Sequence, residues 1–411
     1  MANIHLLKNT IQEYVWGSTR AIPELLGRPN NEDRPQAELW MGAHPKAPSL
    51  AYHNGRWVSL QELISQHPDE ILGKTVAKKF NSRLPFLFKV LAAAKPLSIQ
   101  AHPNKHQAQK GFQRENEQKI PLDAAQRNYR DDNHKPECIC ALTRFWALSR
   151  FRRIPNILTD LQQLNLKLLN DALAELKQRP TPQGLQRFYT SLMSLSQDQK
   201  KRIVGEALNE ARNDTTDRPE FQWMIKLANH YPEDIGVLSP LFLNLICLEP
   251  GQAIYLDAGE LHAYLEGLGI ELMANSDNVL RGGLTPKHVD VPELLRTLNF
   301  EGRDATLLKP QALGANERIY PSPATEFVLS VITLKAGSVY HSPPQHSVEI
   351  IICTRGHLTI VEHDSQTEIE LPQGASALIP ASVTRYSLKG QGIGYKAGVP
   401  NSVELDRPTE S

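Results

Sequence analysis

The chain has 411 residues, a length at which more than one domain is expected. Hydrophobic residues make up 40% of it, charged residues 22% and aromatic residues 7%, which is typical of globular proteins and excludes a disordered or fibrous chain. The 45 Lys and Arg residues balance the 45 Asp and Glu residues, so no net charge attracts the chain to nucleic acid or to an anionic membrane. We therefore expect a small-molecule partner.

The sequence gives no indication of secretion or membrane insertion. The apolar run near the N-terminus is too short for a signal-peptide core and is followed by no small-residue cleavage pattern. No stretch approaches the ~20 apolar residues that span a bilayer. The cysteines lack the spacing of a disulfide framework, which fits a reducing compartment; they are Cys138, Cys140, Cys247 and Cys353. We predict a cytoplasmic protein and expect a monomer.

Residues 1–150 are predicted to be rich in β-structure, because short apolar runs alternate with Pro and Gly turns. The densest piece, RLPFLFKVLAAAKPLSIQAHP, reads as two strands on either side of Lys95 and Pro96. Residues 241–310 show strand patterns again, in GQAIYLDAGELHAYLEG and GIELMANSDN. Because the motif residues are divided between these two parts, we predict one catalytic domain that is interrupted by an insertion.

Residues 151–240 have a helical period. Ser196 and Gln199 form the pattern of a capping box, which precedes one apolar helical stripe; its residues are Ile203, Val204, Ala207, Leu208 and Ala211. A second stripe is predicted to end at Arg179-Pro180; it consists of Leu161, Leu164, Leu168, Ala172 and Leu176. This block is predicted to be the helical insertion.

Residues 311–411 are predicted to form a second β unit, because strands recur at short spacing with Gly turns and no helix between them. The segments LEPGQAIYLDAGELHAYLEG and LPQGASALIPASVTRYSLKG share one rhythm of turn and strand, which suggests that both β units have the same architecture. The predicted fold class is mainly β, with two jelly-roll units and an α-helical domain.

One predicted strand carries polar residues where a core strand has apolar ones. In SIQAHPNK, Ser98, Gln100 and His102 alternate with Ile99 and Ala101, so the three polar side chains share one face. A solvent-facing strand explains this pattern without any function. A buried face requires partners for these groups, since each unpaired group costs roughly 1 to 3 kcal/mol.

Other segments offer such partners. NHKPECICAL supplies Glu137, with Lys135 on the same strand parity, and DAGELHAYLEG supplies His262 at the start of a strand. Two imidazoles, a carboxylate and the Gln100 amide form a plausible set of ligands for a divalent metal with an open position. The spacing is long-range, and nothing in it alone brings the four residues together. Strand parity places Cys138 and Cys140 on the opposite face from Glu137, as core residues.

The motifs together resemble the type I mannose-6-phosphate isomerases (phosphomannose isomerases), which are zinc enzymes of cupin-like fold. The resemblance runs from about residue 11 to 300 and rests on motifs that occur in order: YVWGS, AELWMGAHP, LPFLFKVL, LSIQAHPNK, NHKPE, HAYLEG and ANSDNVLRGGLTPKHVDVPEL. It implies interconversion of mannose 6-phosphate and fructose 6-phosphate, in mannose and wider carbohydrate metabolism. The C-terminal β unit matches far less strongly.

The resemblance also implies roles for residues. It implies one Zn²⁺ per chain, with four ligands: Gln100, His102, Glu137 and His262. It implies that Arg281 is essential for turnover and that other residues lie in the substrate pocket; these are Ser98, Lys89, Lys135, Asp277 and Lys287. The chain departs from the family pattern at the residue after Arg281, which is Gly282 at a position where alanine is common.

The proton-transferring group stays open at this stage. An aldose–ketose conversion moves a proton between C1 and C2 through an enediolate, and Lys135, Glu271 and Asp277 are rival candidates to carry it. Lys135 is equally a fixed charge that binds a substrate oxygen. His134 and Trp16 are further candidate substrate residues.

Several local expectations concern neighbouring segments. Gly282 and Gly283 are expected to let a ligand approach the backbone, and Thr285-Pro286 is expected to begin a helix. His44 shows no convergent partner in the sequence. In the C-terminal unit, YHSPPQHSVEI has two histidines but the later turn IPASVTRYSL has none, so this unit is expected to be structural.

Two other function classes compete with the isomerase. One is a sugar- or phosphate-binding cupin without activity, against which the complete ligand set with Arg281 and Lys135 argues. The other is an iron oxygenase, which usually has two histidines and a carboxylate at short local spacing, unlike the Gln-x-His pair here.

Overall fold

A computed structural model describes residues 3–164 and 166–400. The strands, in chain order, are β1 (His5–Lys8), β2 (Thr10–Gln12), β3 (Glu38–Met41), β4 (Leu50–His53), β5 (Arg56–Ser59), β6 (Phe86–Ala93), β7 (Ile99–Ala101), β8 (Glu137–Ala141), β9 (Phe145–Phe151), β10 (Leu243–Leu248), β11 (Ala253–Leu256), β12 (His262–Ala274), β13 (Leu280–Gly283), β14 (Leu307–Leu308), β15 (Gln311–Ala312), β16 (Glu317–Tyr320), β17 (Val328–Leu334), β18 (Tyr340–His341), β19 (Glu349–Glu362), β20 (Glu368–Pro372), β21 (Ser376–Ile379) and β22 (Tyr386–Gly398).

Half of the α-helices in the described residues, including four of the five with ten or more residues, lie between β9 and β10. In chain order, the helices are α1 (Ala21–Leu25), α2 (Leu60–Gln66), α3 (Pro68–Ile71), α4 (Lys74–Lys79), α5 (Lys105–Glu117), α6 (Ile154–Gln163), α7 (Asn170–Gln178), α8 (Pro182–Met193), α9 (Gln197–Asn213), α10 (Pro219–His230), α11 (Ser239–Phe242) and α12 (Val291–Thr297), with 3₁₀ turns at Lys167–Leu169 and Ile235–Leu238. No helix in the described ranges has both the length and the apolar character to cross a bilayer.

The first of two 11-stranded sheets holds the strands that carry the motifs. Its order is β14-β11-β8-β12-β6-β3-β2, and β7 and β9 both pair with β12. All its pairings are antiparallel. The strand β12 is the centre of this sheet, because it pairs with β6, β7, β8 and β9 along its length.

The second sheet has the order β15-β16-β17-β22-β19-β21-β1-β4-β5, with β18 on β22 and β20 on β19. Its members therefore include three N-terminal strands: Leu6 in β1 lies opposite Ala377 in β21. Residues 1–150 thus contribute strands to both sheets. One hydrophobic core packs between the sheets, with Phe88 and Cys140 from the first and Ile350 and Tyr395 from the second.

The helical insertion leaves and returns at neighbouring strands. β9 and β10 are antiparallel partners, with Leu148 opposite Leu245, so the chain between them forms a separate helical layer on that edge. The predicted fold class, two β units with a helical insertion, is confirmed. The capping box of Ser196 and Gln199 is confirmed as well, since each side chain accepts from the other residue's backbone N–H at the start of α9.

The helix predicted along the leucine stripe ending at Arg179 is wrong in one respect, because it is two helices, α6 and α7. Leu164, Leu166 and Leu169 are all buried in the core of the insertion. Residues two apart do not share a face of a helix, so one straight helix would leave one of them exposed. The break after α6 lets the chain bury all three.

Candidate metal centre and substrate pocket

Three buried side chains from separate strands meet in the first sheet. His102 follows β7, Glu137 begins β8 and His262 begins β12. The Nε2 atom of His102 lies 3.2 Å from Oε1 of Glu137, and Nε2 of His262 lies 3.3 Å from Oε2. Each side chain is 1% exposed. One ligand atom from each residue lies within 4.8 Å of the others, which is the spacing of a metal site.

The two imidazoles have the correct tautomer to bind a metal. Nδ1 of His102 lies 2.7 Å from the carbonyl oxygen of Asn278, and Nδ1 of His262 lies 2.9 Å from that of Glu260. A carbonyl only accepts, so each Nδ1 carries the hydrogen and each Nε2 has a free lone pair. Both Nε2 atoms are buried, and neither has a hydrogen bond of good geometry in the described structure. A cation between them would remove this cost.

The charges of the cluster are suited to a cation. Burial, followed by the Lys135 ammonium, lowers the pKa of His102 to about 4, so that its imidazole is neutral. Burial opposes ionisation of Glu137, but the Lys135 ammonium outweighs it and holds the pKa of Glu137 well below its usual value. The centre therefore offers the Nε2 atoms of two imidazoles and one carboxylate.

Gln100 lies beside this triad. It is the strand neighbour of both His262 on β12 and Arg281 on β13. Two positions before His102, it shares that residue's side of the chain, and it is half-buried. Its amide oxygen is available as a fourth ligand, because no hydrogen bond to this side chain occurs within residues 3–164 and 166–400.

Two further groups contact the Glu137 carboxylate. Nζ of Lys135 lies 2.8 Å from Oε1, and the hydroxyl of Tyr264 donates to Oε2 at 3.4 Å. Lys135 thus stands directly beside the metal ligand set, as its strand parity predicts. Tyr264 orients the carboxylate from the other side.

Lys89 and Glu271 lie in a buried ion-pair network in the adjacent wall. Nζ of Lys89 lies 2.9 Å from Oε2 of Glu271 and 3.7 Å from Oε1 of Glu38, and Trp40 donates from Nε1 to Glu38 at 2.6 Å. Burial disfavours the charge of Lys89, but Glu271 and Glu38 outweigh it and raise its pKa. Burial raises the pKa of Glu271, with Lys89 opposing.

Asp277 is held by partners that the sequence did not reveal. Its carboxylate lies 2.8 Å from Nζ of Lys46 and 3.7 Å from Nε2 of His44. His44 also packs edge-on against Trp40, with ring centroids 4.9 Å apart. The expectation that His44 has no partner is wrong. The sequence contained a signal for these contacts, because His44 and Lys46 lie just after β3 in the motif AELWMGAHPK.

Three further candidate substrate residues have surroundings of different kinds. Ser98 is half-buried just before β7. Trp16 stacks on Tyr14, with ring centroids 5.7 Å apart, and packs against a hydrophobic cluster that includes Ile139 and Tyr264. His134 pairs with Glu326 of the second β unit at 2.7 Å.

Arg281 lies on a segment that the helical insertion supports. The carboxylate of Asp234 accepts from the backbone N–H of Gly236 at 2.7 Å and from that of Thr285 at 3.1 Å. A side chain at Gly283 would meet Asp234 Oδ1 at 3.1 Å. The tight approach at this glycine is therefore to the protein itself, and not to a ligand as expected. A bulge between Arg281 and Gly283 sets the direction of Arg281.

The helix expected at Thr285-Pro286 begins later. Thr285 Oγ1 accepts from the backbone N–H of Lys287 at 3.1 Å, which makes a local turn. Helix α12 starts at Val291, where Asp290 caps it by accepting from the backbone of Glu293 at 3.0 Å. The helix begins after Asp290 and not after Thr285, because Asp is the stronger N-cap residue and Pro292 follows it in the first turn.

The cysteines and the C-terminal histidines lie apart from the centre. Cys138 and Cys140 are buried core residues, as predicted, and burial raises the pKa of both thiols. His346 lies 3.6 Å from Glu349, whose carboxylate lies 2.9 Å from Nζ of Lys396. In the part of the chain that the structure describes, the only group of three potential His, Cys, Asp or Glu ligands is His102, Glu137 and His262.

The chain is similar in sequence to known proteins along nearly its whole length. The sequence model of the type I phosphomannose isomerase catalytic domain matches residues 4–154, and that of the family's helical insertion domain matches residues 159–243. A mannose-6-phosphate isomerase of Escherichia coli K12 is 42% identical over 389 residues, covering 94% of this chain and 97% of its own. The human mannose-6-phosphate isomerase is 34% identical over 409 residues, with 92% and 93% covered.

Solved structures agree with the fold. A zinc-bound mannose 6-phosphate isomerase superposes with a TM-score of 0.90 at 40% identity, covering 97% of this chain and 100% of its own. A mutant phosphomannose isomerase from Salmonella typhimurium superposes with a TM-score of 0.91 at 39% identity and the same coverage.

Antiparallel β units around a buried His, Glu and His cluster define a metalloenzyme of the cupin-like class. The matched domains and the identity across nearly the whole length then specify the family. The chain belongs to the type I phosphomannose isomerases.

Proposed function

We propose that the protein is a zinc-dependent aldose–ketose isomerase that interconverts mannose 6-phosphate and fructose 6-phosphate through an enediolate. The observation that carries the proposal is the pair of buried Nε2 atoms, on His102 and His262, that face one carboxylate and have no hydrogen-bond partner of their own. Family membership and the zinc in a solved relative support it.

The residues present fit one Zn²⁺ per chain. His102 and His262 would hold it through Nε2, Glu137 through its carboxylate and Gln100 through its amide oxygen. When bound, the cation supplies a Lewis acid for the oxygens at C1 and C2 of the sugar. Glu137 is the only charged ligand in this set, so the loaded site keeps net positive charge to stabilise a developing oxyanion.

Lys135 is the group we assign to the reacting edge of the sugar. Its ammonium lies 2.8 Å from a ligand carboxylate and is therefore beside the position of C1 and C2 in a bound substrate. As an ammonium it can donate a hydrogen bond to O1 or O2. As a neutral amine it can take the proton from C2 of mannose 6-phosphate and return it to C1, while the hydroxyl proton passes from O2 to O1.

The rival carboxylates are less available for proton transfer. Glu271 is bound to Lys89 at 2.9 Å within a wall that is almost inaccessible to solvent. Asp277 is bound to Lys46 at 2.8 Å and supports the loop before β13. We propose that both carboxylates position the pocket and that Arg281, which is always protonated, binds substrate rather than carrying a proton.

The remaining predicted pocket residues are assigned by position. Ser98 lies at the entry to the strand that bears Gln100, and Lys287 follows the Arg281 segment, so both are proposed to contact the sugar phosphate. Trp16 and His134 are proposed to line the outer pocket, although each has a structural partner of its own.

A coupled assay that detects fructose 6-phosphate tests this proposal. Protein stripped by chelator should lose turnover and recover it with zinc. Glu137→Gln should lower kcat/KM more than about a hundredfold, since even a group that only orients a metal ligand is worth about 10- to 100-fold. Glu210→Gln, on the exposed side of α9, is the matched control and should have wild-type activity. Full turnover by metal-free protein would end the proposal.

We also propose a monomer in the cytoplasm. The balanced charge and the lack of a membrane-spanning helix in the described residues are compatible with both. Light scattering on purified protein tests the first and cell fractionation tests the second. A dimeric mass, or recovery with membranes, would overturn them.

A further inference from the structure

Arg130 lies on a loop that is attached to the segment carrying Arg281. The backbone N–H of Arg130 donates to Oδ1 of Asn278 at 2.7 Å. Asn278 precedes Arg281 by three residues, and Lys287 follows on the same segment. The loop of Arg130 is thus attached to the segment that carries Arg281 and Lys287, where Arg281 is the strand neighbour of Gln100.

These cations have no acidic partner. Within the described ranges, no carboxylate lies at ion-pair distance from the side chain of Arg130, Arg281 or Lys287. Four carboxylates are close to them in sequence, of which Asp132 is exposed and Asp290 caps α12. The other two are engaged elsewhere. Asp131 accepts from Ser276 Oγ at 2.8 Å and from the backbone N–H of Asp277 at 2.7 Å. Asp277 pairs with Lys46 at 2.8 Å.

The electrostatics show that the three positive charges act on one another. Burial, followed by the charge of Arg130, lowers the pKa of Arg281. Burial, followed by Arg281 and then Arg130, lowers the pKa of Lys287. Like charges that are partly withdrawn from water destabilise each other, so the arrangement favours an anion that interacts with all three.

We infer that Arg130 binds the phosphate group of the substrate together with Arg281 and Lys287. The inference rests on the proposed function and adds to it a phosphate-binding residue that the motifs did not single out. A phosphate monoester carries close to two negative charges, and the planar guanidinium of Arg130 can donate two parallel hydrogen bonds to it.

Asn278 connects the loop of Arg130 to the metal ligand His102. Its side chain holds Arg130, and its carbonyl oxygen accepts from Nδ1 of His102 at 2.7 Å. One fully buried residue therefore sets both the orientation of a metal ligand and the position of a cation for the phosphate.

The test uses the zinc-loaded full chain and the variants Arg130→Gln and Arg130→Lys. We expect Arg130→Gln to raise KM for mannose 6-phosphate about tenfold or more, the effect of losing a charge-assisted hydrogen bond, with a smaller change in kcat. The affinity for inorganic phosphate, measured by calorimetry, should fall by a similar factor. Arg130→Lys keeps the charge and should recover part of both losses.

Arg28→Gln is the matched control, because Arg28 is an exposed arginine away from the centre, and it should change neither quantity. Zinc content and thermal midpoint check that each variant is folded. If Arg130→Gln loses zinc, Arg130→Met, which keeps the aliphatic stem, takes its place.

The outcomes separate this inference from the proposed function. A wild-type protein that does not isomerise the sugar, but whose phosphate affinity falls in Arg130→Gln, ends the proposed function and leaves the anion site standing. An inorganic phosphate affinity that is unchanged in Arg130→Gln, or a wild-type protein that binds no phosphate, overturns the inference whatever the activity.

Discussion

Replacing Asn278 by alanine tests how the loop of residues 130–134 and the metal ligand His102 depend on one another. Asn278 is fully buried. Its Oδ1 accepts from the backbone N–H groups of Arg130 at 2.7 Å and Asp131 at 3.2 Å, and its Nδ2 donates to the carbonyls of Asp131 and Asn133, both at 2.8 Å. Alanine removes these four bonds and a fifth, from Nδ2 to Oδ1 of Asp131 at 3.2 Å.

The expected loss of stability follows from these groups. The carbonyl of Asn133 retains a bond from Ser276 Oγ at 3.2 Å, whereas the N–H groups of Arg130 and Asp131 and the carbonyl of Asp131 lose their partner. Each buried group left unpaired costs about 1 to 3 kcal/mol, and water compensates in part at a half-buried loop. We therefore expect the free energy of unfolding to fall by about 3 kcal/mol.

Metal affinity should fall in the same variant. The main-chain carbonyl of Asn278 orients the His102 ring, and alanine keeps it, but the loss of the side-chain bonds releases the backbone that carries this carbonyl. Disturbing such a partner weakens metal binding, and we expect a loss of about 10-fold. Urea unfolding measures the stability, and competition with a fluorescent chelator measures the zinc affinity. Asn278→Asp, which keeps the acceptor but not the donors, should also be destabilised, because its carboxylate would face Asp131.

The control variant is Asn209→Ala, on the exposed side of α9, where the free energy of unfolding should change by less than about 0.5 kcal/mol. An Asn278→Ala protein that unfolds at the wild-type urea concentration and binds zinc as tightly as the wild type would refute this reasoning.

Three further predictions concern other parts of the pocket. Asp234→Ala should lower kcat by on the order of tenfold to a hundredfold without loss of zinc, because it releases the turn after Arg281; unchanged kinetics would show that the insertion does not position this arginine. Lys89→Met should lower the free energy of unfolding by about 3 to 5 kcal/mol, because it leaves buried Glu271 unpaired; a wild-type urea curve would contradict this. A thiol reagent should modify Cys247 in the folded protein well before Cys138, Cys140 or Cys353, whose thiols are buried with raised pKa values; peptide mass mapping measures the order, and equal rates would contradict it.

Local patterns in the sequence were sufficient for most elements. The strand pair around Lys95 and Pro96 is present as β6 and β7, because proline cannot donate within a central strand. His262 begins β12 and Glu137 begins β8, as their flanking turns predicted. These features depend on neighbouring residues alone.

Features that depend on distant residues could not be predicted in this way. The pairing of β1 with β21 joins residues about 370 positions apart, and no local pattern encodes that register. The contacts of Asn278 with the loop of Arg130 and with His102 are equally long-range. The four predicted metal ligands were selected by residue type and by family resemblance, and their spacing alone left the cluster open.

Zinc-edge anomalous scattering from crystals grown with one equivalent of zinc tests the central claim most directly. We predict a single strong peak per chain, bonded at about 2.0 to 2.2 Å by Nε2 of His102, Nε2 of His262, the Glu137 carboxylate and the Gln100 amide oxygen. A peak bonded by other residues, or no peak between the two imidazoles, would contradict it.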